Sequence, residues 1–159
     1  MNSRESGVGS RAGARLRADG VGSRVMAIDY GEKRIGLAVS DPTRTIASPA
    51  GFITRRAGKR PPVASILRCA EELEASEVVL GLPLDENGDE TPRSAEVREI
   101  ARQIELRAGL PVRLIDERYT TAAALRAVRE MGGSTRGRKG DVDSVAATIL
   151  LQHALSVAP

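Results

Sequence analysis

The sequence predicts an α/β fold, a mixed sheet flanked by helices with at least part of the sheet parallel. Three observations carry this. Two short apolar runs joined by a glycine turn open the ordered part of the chain and read as a hairpin. Later strand-like runs alternate with stretches of helical periodicity, the pattern of parallel crossover units. The 159 residues, 41% hydrophobic and 28% charged, match the length and composition of one ordinary globular domain.

The elements follow in order. Residues 1–23 hold five Gly, four Ser and four Arg, a composition that buries no core and predicts a flexible basic arm, leaving 24–159 as the domain. Val25 to Ile28 is an apolar run ending at Asp29, a buried strand. Gly31 turns the chain, and Ile35 to Val39 returns it. A third strand over about 46–54 is interrupted by Pro49. Pro61 and Pro62 open a helix to about Ala75, with Val63, Ile66, Leu67, Ala70 and Leu73 as its apolar stripe. Glu77 to Leu82 is a Val-rich central strand ending in Gly81 and Pro83. A helix from about Pro92 to Arg107 buries Val97, Ile100, Ala101 and Ile104, and Gly109 and Pro111 stop it. Val112 to Ile115 is the fifth strand, followed by Asp116, Glu117 and Arg118. Thr120 or Thr121 caps a helix reaching Met131. Gly132 to Gly140 predicts a mobile basic loop, and a last helix starts near Asp143.

Composition removes several function classes. No apolar run approaches the roughly 18 residues of a membrane span, and no signal-type segment opens the chain. The single Cys69 rules out an intramolecular disulfide framework or a Cys-cluster zinc site, and with His153 the sole histidine there is no histidine-rich metal site. A cytoplasmic protein with no membrane partner is expected. Aromatic residues are 2% of the chain, so rows of stacking aromatics are excluded. The net charge of +3 and pI near 9.5 point weakly to a polyanion.

The acids are the informative feature. Asp29 closes a buried strand, Asp116 and Glu117 close another, and Asp143 opens an apolar helix. Each alone has an ordinary explanation: a turn aspartate, a partner for Arg118, a helix N-cap. Converging, they would form an all-oxygen site suited to Mg²⁺ or Mn²⁺, the ions that assist in-line attack on a phosphodiester.

Four segments in order resemble one family: 26–41 (MAIDYGEKRIGLAVSD), 78–84 (VVLGLPL) with Gly88, 114–121 (LIDERYTT) and 143–150 (DSVAATIL) are similar to the YqgF family, also called RuvX. The resemblance spans nearly all of 24–156. It implies a ribonuclease H-like, RuvC-like fold, a mixed five-stranded sheet with helices on both faces. It also implies a metal-dependent nuclease that processes the 5′ end of pre-16S ribosomal RNA or resolves Holliday junctions. By motif match, Asp29, Glu117 and Asp143 are the catalytic metal ligands for Mg²⁺ or Mn²⁺, with Asp116 and Asp141 as supporting acids. Adjacent strand residues point to opposite faces, so Asp116 and Glu117 cannot serve equally. Asp141 stands where the family commonly has a basic residue, so it competes with Asp143.

Lys33, Arg34, Arg118, Arg136, Arg138 and Lys139 are candidates to grip a nucleic-acid backbone, and the cluster at 55–60 and the arm would add unselective affinity. The acids of 85–90 read as a solvated turn, His153 as a satisfied or half-buried histidine rather than a ligand, and Cys69 as a small packing residue. Two other classes compete with the nuclease: a binding module that does not cut, and a phosphotransferase, since Asp29-x-Gly31 resembles the phosphate hairpin of actin-like kinases. The second needs two lobes and has one. Monomer and homodimer are both compatible with the sequence.

Overall fold

A computed structural model describes residues 23–56, 60–118 and 139–157, with 139–143 as helical backbone only. The elements are β1 (Arg24–Tyr30), β2 (Arg34–Ser40), β3 (Ala47–Thr54), α1 (Val63–Glu72), β4 (Ala75–Leu82), α2 (Pro92–Ala108), β5 (Val112–Asp116) and α3 (Lys139–Ser156). The expected helix from 120 to 131 lies outside the described residues.

The five strands form one sheet in the order β3-β2-β1-β4-β5. β1 and β2 pair antiparallel, with Asp29 opposite Gly36, and β2 pairs antiparallel with β3, with Gly36 opposite Phe52. β4 runs parallel to both β1 and β5. The sheet is therefore mixed, as expected. Pro49 sits on the edge strand, where its missing N–H breaks no inner ladder.

Alternation along the strands sorts the core into two layers. Met26, Ile28 and Tyr30 of β1 and Val78, Leu80 and Leu82 of β4 pack against Ile66 and Ala70 of α1 and Val97, Ile100 and Ile104 of α2. Val25, Ala27, Ala38 and Val79 pack on the other face against Ala146, Ala147, Leu150, Leu151 and Ala154 of α3. With so few aromatics, aliphatic side chains, leucine included, and small residues fill most of both layers. Cys69 packs half-buried beside the first, and burial pushes its thiol pKa up.

The helix ends follow their local chemistry. Thr91 caps α2 in a capping box with Ser94: the Thr91 hydroxyl accepts from Ser94 N at 3.0 Å and the Ser94 hydroxyl from Thr91 N at 2.7 Å. Gly109 ends the same helix with φ 68°, a left-handed conformation that favours glycine. α3 is braced to the distant edge of the sheet. Gln152 accepts from Ala47 N and donates to the Thr45 carbonyl, both at 3.0 Å, and the Ser144 hydroxyl donates to the Gly51 carbonyl at 2.7 Å.

Two expectations change here. The last helix begins at Lys139, not near Asp143, so Lys139 and Gly140 belong to the helix and position 143 is its fifth residue rather than its N-cap. His153 is exposed, not half-buried: Leu150, Leu151 and Ala154 take the sheet-facing positions and turn it outward.

Candidate active site

Asp29 lies near the C-terminal end of β1. Its neighbours by alternation, Val25 and Ala27, pack against α3, so the Asp29 side chain is on that face, fully buried at 0% exposure. Ile115 of β5 packs on the same layer, and two residues on, just past the strand, Glu117 is buried at 2% exposure. β4 runs between the two strands, and its residue at this level is Gly81, paired with Ile115.

Gly81 makes the arrangement possible. A Cβ there would meet the Glu117 carboxylate, with Oε2 closer still than Cδ at 3.0 Å, and Leu150 Cδ2 of α3 at 3.2 Å. The Glu117 carboxylate therefore occupies the space a side chain at 81 would take, leaning over the central strand toward the one that carries Asp29. Val79 one pleat earlier still packs against α3, so the space exists only at the strand end. The run VVLGLPL holds the signal for this residue, a glycine inside an apolar strand, where a close approach is expected. Locally, beside Pro83, the same glycine reads only as a strand end.

Asp116 is placed differently. It points away from Glu117's face, partly exposed, and pairs with Arg118 at 2.7 Å. The Arg118 hydrogen bond comes first among the causes holding the Asp116 pKa below the usual carboxylate range. Arg118 also donates to the Glu86 carbonyl at 3.4 Å, tying the end of β5 to the turn at 85–90. That turn is organised by Asp85, whose Oδ1 accepts from Asn87 N and Asp89 N at 2.9 and 2.8 Å, the solvated turn the sequence predicts.

Among the described residues no group of three or more His, Cys, Asp or Glu could hold a metal ion. Two acids are brought to one face. The side chains of Asp141, Asp143 and Lys139, and all of Arg136 and Arg138, lie outside the described residues. The backbone puts position 143 two helical turns before Leu150, whose side chain reaches Gly81.

Of the cationic candidates, Lys33 is exposed in the β1–β2 turn, and the Arg34 guanidinium stands 5.8 Å from the centre of the Phe52 ring. Arg55 is not available to a ligand as expected of the 55–60 cluster. It stacks 4.3 Å from the centre of the Tyr30 ring, donates to the Gly31 carbonyl at 3.0 Å and reaches Glu96 at 3.4 Å. Buried Tyr30 donates to Glu96 at 3.2 Å, and desolvation leads the causes that push its pKa up to about 12.

Comparison with known proteins places the chain. The family model described as "RuvX: Holliday junction resolvase" matches residues 23–157. The chain belongs to the RuvX family. Its relatives agree: a "Putative pre-16S rRNA nuclease" of Clavibacter michiganensis is 42% identical over 135 residues, covering 85% of this chain and 83% of the relative. A protein of the same name from Rickettsia bellii is 39% identical, with 83% and 85% covered. Among solved structures, Thermus thermophilus RuvC in complex with a Holliday junction substrate superposes with a TM-score of 0.52 at 18% identity, covering 84% of this chain and 94% of that one. The RuvX fold is thus ribonuclease H-like, the class the ordered motifs implied. No helix among the described residues of this RuvX chain is long and apolar enough to cross a membrane.

Proposed function

We propose that this RuvX-family chain is a divalent-metal-dependent endonuclease that cleaves structured nucleic acid, with the 5′ end of pre-16S rRNA as its substrate. One observation carries the reading: Asp29 and Glu117, both buried, come to one face at the ends of parallel-paired strands with side-chain-free Gly81 between them. Two carboxylates sharing a desolvated face favour a cation there. Oxygen-only donors fit Mg²⁺ or Mn²⁺. Asp29, Glu117 and Asp143 would hold the ion.

When bound, such an ion polarises the phosphate and lowers the pKa of a bound water. The chain's own residues supply the frame. The sheet ladder fixes Asp29 between β2 and β4, Gly81 admits the Glu117 carboxylate, and α3 closes the layer beneath them. Exposed Lys33 and the late residues Arg136, Arg138 and Lys139 would meet phosphates flanking the cut. A four-way DNA junction is the second reading, favoured by the family's description as a resolvase.

The deciding assay incubates a pre-16S 5′ leader transcript and a four-way junction with the protein in Mn²⁺ and in Mg²⁺, beside Asp29→Asn. Metal-dependent cleavage of the transcript, lost in the variant while its melting profile stays wild-type, is expected. Cleavage of the junction alone assigns the substrate to DNA, and full activity of Asp29→Asn refutes the site.

A further inference from the structure

Register places one more residue in the row that holds Asp29. Phe52 on β3 pairs with Gly36, and Gly36 pairs with Asp29, so the three lie side by side on one face of the sheet. The assignment agrees on both sides: Ile53 packs in the opposite layer with Ile35, and Ala38 packs against α3. At roughly 4.8 Å per strand, Phe52 stands about 10 Å from Asp29, across a glycine that raises no side chain between them. The residue is 44% exposed. Its backbone is pinned where the Ser144 hydroxyl of α3 meets the Gly51 carbonyl, next to position 143. Arg34, also on this face, sets its guanidinium 5.8 Å from the ring centre, and exposed Lys33 adjoins it.

An isolated exposed apolar side chain is ordinary. This one is the chain's single phenylalanine, lies on the edge strand in register with a buried carboxylate, and carries positive charge beside it. We infer that Phe52 and Arg34 form a stacking platform for an unpaired nucleobase next to the scissile phosphate, the ring taking the base and the guanidinium the adjoining phosphate. The platform gives the site a preference for substrates with an unpaired base beside the cut. It rests on the nuclease reading for its ligand, and the aromatic shortage that excludes a row of stacking residues leaves room for one.

The test uses the full chain, without divalent metal so that no cleavage intervenes. Two fluorescein-labelled RNA hairpins are compared, one with a single-stranded 5′ extension and one whose extension is abasic. Phe52→Ala is expected to weaken binding of the first by about 5- to 100-fold and to leave the second within about 2-fold, since stacking needs a base. Phe52→Trp restores binding, and Arg34→Ala lowers the salt slope by about one charge. Unchanged binding by Phe52→Ala overturns the platform while leaving the nuclease reading intact. So does an equal loss on both hairpins, or a wild-type dimer that Phe52→Ala turns into a monomer, which would make the ring a contact between copies of the chain. If the wild type binds neither hairpin and cuts neither transcript nor junction, the nuclease reading falls and the platform with it.

Discussion

Gly81→Ala is the smallest change that tests the carboxylate arrangement without removing a carboxylate. The new methyl group would stand inside the space held by Glu117, with Cδ at 3.0 Å and Oε2 closer, and against Leu150 Cδ2 at 3.2 Å. Ordinary van der Waals contact starts at 3.4 Å, so the carboxylate end must retreat by an ångström or so. Overpacking of this kind costs about 1–3 kcal/mol, while replacing a strand glycine by alanine returns roughly 0.5–1 kcal/mol. The net loss is up to about 2.5 kcal/mol, a fall in Tm of no more than about 10 °C for a chain of this size. Catalysis is more sensitive, since an ångström of misplacement costs on the order of 100-fold. Single-turnover cleavage across a Mn²⁺ titration, beside a melting curve, separates the two effects. A folded Gly81→Ala protein with wild-type rate and metal dependence would refute the placement of Glu117 as a ligand.

The neighbouring acids should separate cleanly. Glu117→Gln is expected to reduce cleavage by at least about 100-fold, whereas Asp116→Asn, which only weakens the pair with Arg118, should keep activity within about 5-fold; equal losses would contradict the assignment of faces. Thr91→Ala removes the α2 cap and should lower stability by about 1 kcal/mol, read as a denaturation midpoint shift at unchanged slope. Tyr30 has its pKa raised to about 12 by burial, so the fold favours its neutral form. That contribution is complete below the ordinary tyrosine pKa near 10 and is lost as pH rises toward 12. Ultraviolet titration of Tyr119→Phe, which leaves Tyr30 alone, should show this delayed ionisation, and a midpoint near 10 in the folded protein would contradict it.

Much of this was legible in the residues because periodicity reports burial directly. The apolar run before Asp29 foretold both the strand and the cost of a carboxylate at its end, and the alternation of later runs foretold the parallel half of the sheet. The start of α3 was not legible: Gly140 and the charges before it resemble a loop locally, yet the backbone from Lys139 is helical. Nor was the exposure of His153, because Leu150, Leu151 and Ala154 compete for the same stripe and only packing selects which of them face the sheet. Arg55 looked like a solvated cation, and its partners Tyr30 and Glu96 are 25 and 41 positions away, beyond any local pattern. Gly81 and Phe52 were missed for one reason: their significance is lateral, in what stands on the next strand.

The ties between α3 and the sheet edge span 93 to 107 positions of chain, from Ser144 to Gly51 and from Gln152 to Thr45. Synthesis runs from the N-terminus, so β1, β2 and β3 leave the ribosome long before the helix that covers them. Until then Asp29 has no lid and position 143 does not exist. On the proposed assignment, the acids from β1, the end of β5 and position 143 cannot be brought together until α3 has been made and packed.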